Sequence, residues 1–265
     1  MIKTKKSSKK SDDDDDMPDI TPVGDVENPR SWAVYGAPGT GKTTLLSSFP
    51  KPILLLDIKE KGTDSIRDVK GVDVAEIESI GQFETVYWRL KKGKLKYKTV
   101  GIDTTTQLQQ LYVEDVSGSD EPMGFGSLTQ RQFGEVSGRM KRAIVDYRDL
   151  DLETVFLSQQ RIFEPREDEV DDGNVATEVG PALMPSIATT LNSNVNFIGQ
   201  TFKRQKITKK EEGKKVVKIK KIQFCLLVGP NDVRLSKIRK PKNVVPPEFL
   251  INPTYADLIE AIEGE

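Results

Sequence analysis

The segment "WAVYGAPGTGKTTLLSSF", residues 32–49, constrains the fold of this chain more than any other part of the sequence. Within it, "GAPGTGKT" matches the phosphate-binding pattern G-x-x-x-x-G-K-[ST] at every position. An apolar stretch precedes the loop and a helix-forming stretch follows it. Strand, phosphate loop and helix stand in this order in P-loop proteins. The segment therefore predicts a P-loop in an α/β domain and the binding of a nucleoside triphosphate.

Each part of this loop has a chemical role in holding phosphate. Glycines let the backbone fold closely around phosphate oxygens, and successive N–H groups then point at them. Lys42 is expected to reach the β- and γ-phosphates of ATP, and Thr43 to offer its hydroxyl to Mg²⁺. The predicted nucleotide-binding residues are Gly36, Ala37, Pro38, Gly39, Thr40, Gly41, Lys42, Thr43 and Thr44.

The composition excludes several classes of chemistry. The chain has one cysteine, Cys225, and no histidine, so a disulfide framework, a Cys/His zinc site and a Ser-His-Asp triad are excluded. Lys and Arg number 40 and Asp and Glu number 41, so the net charge indicates no particular partner. No run approaches the roughly 18 apolar residues of a membrane span. We therefore expect a cytoplasmic protein without a membrane partner.

The sequence divides into a charged tail and one domain. Residues 1–29 contain the basic "KTKKSSKK" and the acidic "SDDDDDMPDI" without apolar periodicity, which predicts a disordered tail. In residues 30–265, the apolar runs "PILLLDI", "YKTVGID" and "ETVFLSQ" alternate with helical patterns. This alternation predicts a mainly parallel twisted sheet with helices on both faces.

The last third of the chain has a different pattern. "NVNFIGQTFKRQKIT" and "KKVVKIKKIQFCLLVG" flank "KKEEG", which predicts a long antiparallel β-hairpin with a glycine turn. We call residues 203–221 the basic hairpin, because they include ten Lys or Arg and only two Glu. "PTYADLIEAIEG" then predicts a short amphipathic helix near the C-terminus.

Carboxylates and an amide follow the apolar strands. Asp103 ends "TVGID", 60 residues after Thr43, and is expected to hold Mg²⁺ with it. The residue after Asp103 is not glutamate, so the base that activates water must come from elsewhere. Asp57 and Glu60 are both candidates, and either could instead be a solvated loop carboxylate. Gln159, at the end of "TVFLSQ", could bind the γ-phosphate or the attacking water, and ordinary polarity at a strand end explains it equally well.

Four features follow one another along the chain: the P-loop at 36–43, the carboxylates near 57–60, Asp103 and Gln159. Their order and spacing resemble the RecA-like recombinase core. "VGIDTTTQL" is similar to the metal-binding strand of that family, and "VFLSQQR" is similar to its sensor strand. From about Ser31 the chain looks closest to the small phage nucleotide-binding proteins of this class, the minimal RecA-like ATPases implicated in single-strand annealing. "GPALMPSIATTL" and "KIRKPKNVVPPEFLINPTYADL" add a less specific likeness.

The resemblance implies a homo-oligomer, either a ring or a filament, that assembles on single-stranded DNA with ATP between subunits. A single-strand binding protein is a further partner that it suggests. Two loops, near 117–127 and 160–181, would face the DNA. Lys237 and Arg239 would reach the phosphates bound by a neighbouring subunit, and each could instead belong to an ordinary basic surface.

The sequence departs from the family pattern in two places. The family's glutamate normally lies two residues after the strand aspartate, but Lys59 stands there and Glu60 follows it. The second loop contains "EPREDEVDDGNVATE", whose negative charge would repel a phosphate backbone. The basic hairpin or the turn "LKKGKLKYK" is therefore the expected contact with DNA.

Three functions are compatible with these features. A DNA-dependent ATPase of recombination, which promotes annealing or strand exchange, agrees with the landmarks and the basic hairpin. A non-hydrolysing ATP switch or loader that acts on a protein partner becomes the alternative if Lys59 has displaced the base. A small-molecule kinase would need an arginine-rich lid, which the acidic 160–181 segment does not resemble.

Overall fold

The computed structural model describes residues 20–22, 29–118, 128–163, 178–212 and 215–264, without the side chains of 208–212 and 215–219. The strands are β1 Ser31–Gly36, β2 Ile53–Ile58, β3 Val72–Ile77, β4 Thr99–Asp103, β5 Glu153–Phe163, β6 Glu178–Pro181, β7 Phe197–Glu212, β8 Lys215–Leu227, β9 Lys237–Ile238 and β10 Phe249–Ile251. The helices are α1 Lys42–Leu46, α2 Ile80–Lys91, α3 Thr105–Ser117, α4 Gln130–Arg148, α5 Pro185–Asn194 and α6 Tyr255–Glu263.

The strands form one mixed sheet in the order β10-β8-β7-β1-β5-β4-β2-β3. Six neighbouring strands, from β7 to β3, run parallel, whereas β8 and β10 add antiparallel pairs at one side. Short strands β6 and β9 pair antiparallel with β5 and β7. The expected α/β fold, with a mainly parallel sheet, helices on both faces and an antiparallel hairpin near the C-terminus, is confirmed.

Helices cover both faces of the sheet. Successive side chains of a strand point to opposite faces, so a strand that is apolar at every residue needs cover on both. From β1, Trp32 and Val34 enter one apolar cluster together with residues of α1 and α6. Ala33 and Tyr35 enter the other cluster, which is built with α2, α3, α4 and α5. Strands β1, β2 and β4 are therefore buried on both sides. The carboxyl ends of the parallel strands form one edge at which the polar residues of the predicted site emerge.

Strand β7 has two roles, one of which the sequence did not predict. Its first residues pair in parallel with β1, from Phe197 opposite Trp32 to Thr201 opposite Gly36. The same strand then continues as the first arm of the predicted hairpin, antiparallel to β8. The base of the basic hairpin is consequently attached to the strand that leads into the P-loop.

Several elements lie outside the sequence predictions. Strand β3 was missed because it is an edge strand with three of its six residues exposed and only one buried, so its apolar signal is weak. Helix α5 and the short strands β6, β9 and β10 were also not predicted. The tail 1–29, apart from 20–22 and 29, and the two loop segments 119–127 and 164–177 lie outside the described residues. Within the described ranges, no helix has both the length and the apolar character needed to cross a membrane.

Candidate nucleotide-binding site

The P-loop runs from the end of β1 to the start of α1 and is held in shape by close contacts. A Cβ atom on Gly36 would lie 2.3 Å from Oγ1 of Thr201, so only glycine fits there. Gly41 has a φ of 92°, in the left-handed region that favours glycine. The hydroxyl of Thr40 donates to the carbonyl oxygen of Ala37 at 2.7 Å. These contacts give the open loop that the sequence pattern predicts.

Lys42 is buried at the centre of this loop. Its Nζ donates to the carbonyl oxygens of Gly36 at 3.0 Å and Ala37 at 3.1 Å. Burial lowers the pKa of Lys42, and the negative charges of Asp103 and Glu60 act against this shift. A buried ammonium group surrounded by loop backbone is suited to gain an anionic ligand such as a phosphate.

Thr43 and Asp103 meet beside Lys42. The Thr43 hydroxyl donates to Oδ2 of Asp103 at 2.7 Å, and Asp103 is buried where β4 ends. Burial raises the pKa of Asp103, the hydrogen bond from Thr43 opposes that effect, and the charge of Glu60 adds to it. A buried carboxylate beside a hydroxyl matches the oxygen ligands that Mg²⁺ prefers. Thr43 and Asp103 are thus the residues that would hold the ion, which would supply positive charge to the phosphate oxygens.

Asp57 and Glu60 take different positions after β2. Oδ1 of Asp57 accepts hydrogen bonds from the backbone N–H groups of Glu60 and Lys61, both at 3.0 Å. Asp57 therefore holds the turn. Oε1 of Glu60 accepts from the hydroxyl of Thr104 at 3.0 Å, next to Asp103 at the end of β4. Of the two candidate bases, Glu60 is the one whose carboxylate lies among the other site residues.

Lys59 stands where the recombinase family that the sequence resembles has glutamate, and its side chain is directed away from the P-loop. Its φ of 57° places it in the left-handed region, and its Nζ forms an ion pair with Glu114 of α3 at 2.5 Å. This unusual backbone conformation turns the chain so that the next residue, Glu60, reaches the site. The shift by one position in the sequence is thus accommodated by the turn after β2.

Gln159 connects the lysine and the carboxylate. Its Oε1 accepts from Nζ of Lys42 at 3.4 Å, and its Nε2 donates to Oε1 of Glu60 at 3.4 Å. Its backbone N–H donates to the hydroxyl of Thr106 at the start of α3. Gln159 can therefore contact both the phosphate side and the water side of a bound nucleotide.

The structure does not bring Lys237 and Arg239 to the P-loop of the same chain. They lie on and beside β9, which pairs with the first residues of β7. This is the edge formed by the amino ends of the parallel strands, opposite the P-loop. Lys237 donates to the carbonyl oxygens of Asn192 and Ser193, and Arg239 donates to that of Ser193, at the C-terminal end of α5. A contact with a neighbouring subunit stays a prediction. The turn "LKKGKLKYK", which precedes β4, lies at that same opposite edge.

Three residues of the site were not singled out from the sequence: Thr201 and Lys203 of β7, and Phe224 of β8. Oγ1 of Thr201 lies 2.7 Å from Oγ1 of Thr40. Phe224 lines a cavity of about 440 Å³ together with the P-loop, Glu60, Asp103 and Gln159. The available signal was "NFIGQT", which ends in polar residues after apolar ones, as "VFLSQ" does.

Comparison with known proteins now gives the family. Residues 28–223 match the family AAA_24, described as an AAA domain. The chain belongs to this AAA domain family. The matched range contains the P-loop, Asp103, Gln159 and the whole basic hairpin. The coarser prediction, a nucleotide-binding P-loop ATPase domain, is confirmed, whereas DNA, oligomeric assembly and a phage origin stay predictions.

Three solved structures show distant similarity to this AAA domain. The flagellar accessory protein FlaH from Methanocaldococcus jannaschii is 8% identical, with a TM-score of 0.36, over 76% of this chain and 78% of that one. The RadB recombinase is 14% identical, with a TM-score of 0.38, over 65% and 74%. An ATPase of a bacterial type III secretion system is 12% identical, with a TM-score of 0.39, over 65% and 52%. No curated protein matches the chain.

Proposed function

We propose that this protein is a Mg²⁺-dependent ATPase that acts on single-stranded DNA in phage-type recombination, by annealing or strand exchange. The observation that carries the proposal is the attachment of the basic hairpin to the P-loop through Thr201 and Thr40, whose hydroxyl oxygens are 2.7 Å apart. An element rich in Lys and Arg is thereby joined directly to the nucleotide site. Such a junction could couple ATP binding to the binding of a polyanion.

The charge arrangement of the basic hairpin supports a polyanionic partner. Lys206 lies directly opposite Lys221 in the ladder, and Lys220 lies opposite Ile207. Like charges that face each other across two strands destabilise a hairpin. A phosphate backbone would relieve this repulsion. Ile207 and Ile222 are also exposed, which adds apolar surface in the same two strands.

The site residues support hydrolysis of ATP. Lys42 would neutralise charge on the transferred phosphoryl group. Glu60 would orient the attacking water and accept its proton as the new phosphorus–oxygen bond forms and the bond to the leaving ADP oxygen breaks. Gln159, which contacts both Lys42 and Glu60, would respond to the loss of the γ-phosphate.

A second cavity supports a nucleoside ligand rather than free phosphate. It has a volume of about 440 Å³ and shares Gly41, Thr44 and Phe224 with the cavity at the P-loop. Its walls are largely apolar and include Pro253 and Leu45. A base could lie there while the phosphates extend into the P-loop.

The test is ATP hydrolysis with Mg²⁺, with and without single-stranded DNA, at two salt concentrations. We expect stimulation by DNA that fades with salt, and no hydrolysis by Lys42→Ala. Log affinity for single-stranded DNA falls as log salt concentration rises. A triple change of Lys206, Lys220 and Lys221 to Gln should make this negative slope shallower by about 2. Lys70→Gln is the matched control, because exposed Lys70 precedes β3 at the opposite edge of the sheet.

The outcomes separate the alternatives. Hydrolysis that does not respond to DNA, with an unchanged salt slope in the triple variant, would refute the DNA function. ATP binding without turnover under any condition would favour a switch or loader that acts on a protein partner. Transfer of phosphate to an added small molecule would instead indicate a kinase.

A further inference from the structure

Lys203 places a positive charge next to the P-loop. The Nζ atom of Lys203 lies 3.7 Å from the position that a Cβ atom would occupy on Gly39. The side chain is exposed, and it forms no hydrogen bond or ion pair with any part of the chain that the structure describes. The loop that is shaped for phosphate therefore has an ammonium group of its own chain beside it.

The position of Lys203 is fixed by its neighbours in the hairpin. Thr201, two residues earlier and hence on the same face of β7, contacts Thr40 of the loop. Phe224 lies directly opposite Lys203 in the β7–β8 ladder. The ring of Phe224 comes within 3.5 Å of the position that a Cβ atom would take on Gly41. These contacts hold the base of the hairpin against the loop, so the lysine stays in reach of it.

Lys203 differs in this respect from the cations that the sequence had suggested. Lys237 and Arg239 donate their hydrogen bonds to carbonyl oxygens at the end of α5, far from the loop of their own chain. Lys42, the other lysine at the loop, is buried and bonded to the loop carbonyl oxygens of Gly36 and Ala37. Among the described residues, Lys203 thus has no hydrogen-bond or ion-pair partner for its side chain, and it lies on the exposed side of the same loop.

We propose that Lys203 binds the terminal phosphates of the nucleotide held by the P-loop of its own chain. It would supply in cis the second positive charge that the family resemblance had assigned to a neighbouring subunit. Lys42 approaches the phosphates from inside the loop, and Lys203 approaches them from the hairpin side. The inference rests on the nucleotide-binding part of the proposed function and assigns Lys203 to the nucleotide rather than to DNA.

The experiment measures binding of ATP, ADP and AMP by calorimetry, with Mg²⁺ and without DNA. Lys203→Gln should weaken ATP binding about tenfold, the scale of one lost charge-assisted hydrogen bond. The loss should be smaller for ADP and smallest for AMP, because the charge near the terminal phosphates decreases in that order. Lys203→Arg should restore most of the ATP affinity. Lys70→Gln, which removes an equally exposed charge at the opposite edge, should bind all three nucleotides as the wild type does.

A mixing experiment separates action in cis from action in trans. Lys203→Gln and Lys42→Ala proteins are combined, and ATP hydrolysis is measured. If Lys203 acts within its own chain, the rate of the mixture at limiting ATP equals the sum of the two separate rates. Recovery of activity on mixing would overturn the assignment, since an intact Lys203 would then be serving a neighbour's P-loop.

The remaining outcomes distinguish this inference from the proposed function. Equal ATP affinity of Lys203→Gln and the wild type overturns the role of Lys203 and leaves the DNA function standing. If Lys203→Gln binds ATP more weakly but DNA does not change the rate of ATP hydrolysis, the role of Lys203 is supported and the DNA function is refuted. A wild type that binds no ATP overturns both.

Discussion

The hydroxyl oxygens of Thr40 and Thr201 lie 2.7 Å apart although the residues are 161 positions apart in the sequence. Thr40 belongs to the P-loop. Thr201 belongs to β7 and is paired with Gly36, the last pair of the parallel ladder between β1 and β7. Both are buried. This contact joins the nucleotide site to the hairpin that is our candidate for binding DNA.

The contact gives the first prediction. Thr201→Val keeps the shape of the side chain but removes its hydroxyl, so the bonds to Thr40 and to the carbonyl oxygen of Tyr35 are lost. We expect the free energy of unfolding to fall by about 1–2 kcal/mol, because two buried hydrogen-bond contacts are removed. ATP affinity should fall as well, because Thr40 is part of the loop. Urea unfolding and calorimetry measure the two effects.

The control for this change is Thr189→Val. The hydroxyl of Thr189 bonds to the carbonyl oxygen of Pro185 on an exposed helix surface, so its loss should leave ATP binding unchanged. If Thr201→Val and Thr189→Val bind ATP equally well, the loop does not depend on β7 for its shape.

The second prediction separates the two carboxylates after β2. Glu60→Gln should lower ATP turnover about 10²- to 10⁴-fold, the usual contribution of a general base, while ATP still binds. Asp57→Asn should act mainly on stability, because Asp57 accepts the N–H groups that form the turn. Single-turnover hydrolysis and thermal unfolding of both variants measure this difference. The reverse pattern, in which Asp57→Asn alone stops turnover, would assign the base to Asp57.

The third prediction concerns the pH dependence of stability. Burial raises the pKa of Asp103 above its usual value of 3.8, so the folded state binds this proton more tightly than the unfolded state does. Without Mg²⁺, this residue's contribution to stability is full below pH 3.8 and is lost as pH rises through the raised pKa. Asp103→Asn removes that loss and should raise the free energy of unfolding at pH 7 by about 1 kcal/mol.

The measurement is urea unfolding of the wild type and Asp103→Asn at several pH values, without Mg²⁺. The stability advantage of the variant should grow from acid to neutral pH, and the same variant should lose Mg²⁺-dependent ATP binding. An advantage that is constant with pH would show that the charge of Asp103 is not the cause.

The sequence by itself determined the P-loop and the presence of buried parallel strands that alternate with helices. "GAPGTGKT" needs no distant contact to be recognised, and the apolar runs that end at Gly36, Asp57 and Asp103 predict buried strands because both of their sides must be covered. Since parallel strands end at one edge, the grouping of Lys42, Asp103 and Gln159 could also be predicted from the sequence.

The tertiary structure alone decided which carboxylate faces the site and which cation lies beside the loop. Asp57 and Glu60 are equivalent as sequence, and only the turn with Lys59 at a positive φ directs Glu60 inward. Likewise, Lys203 was one of ten basic residues in a run. Its place beside Gly39 follows from the pairing of β7 with β1, a contact between distant segments that local sequence patterns do not encode.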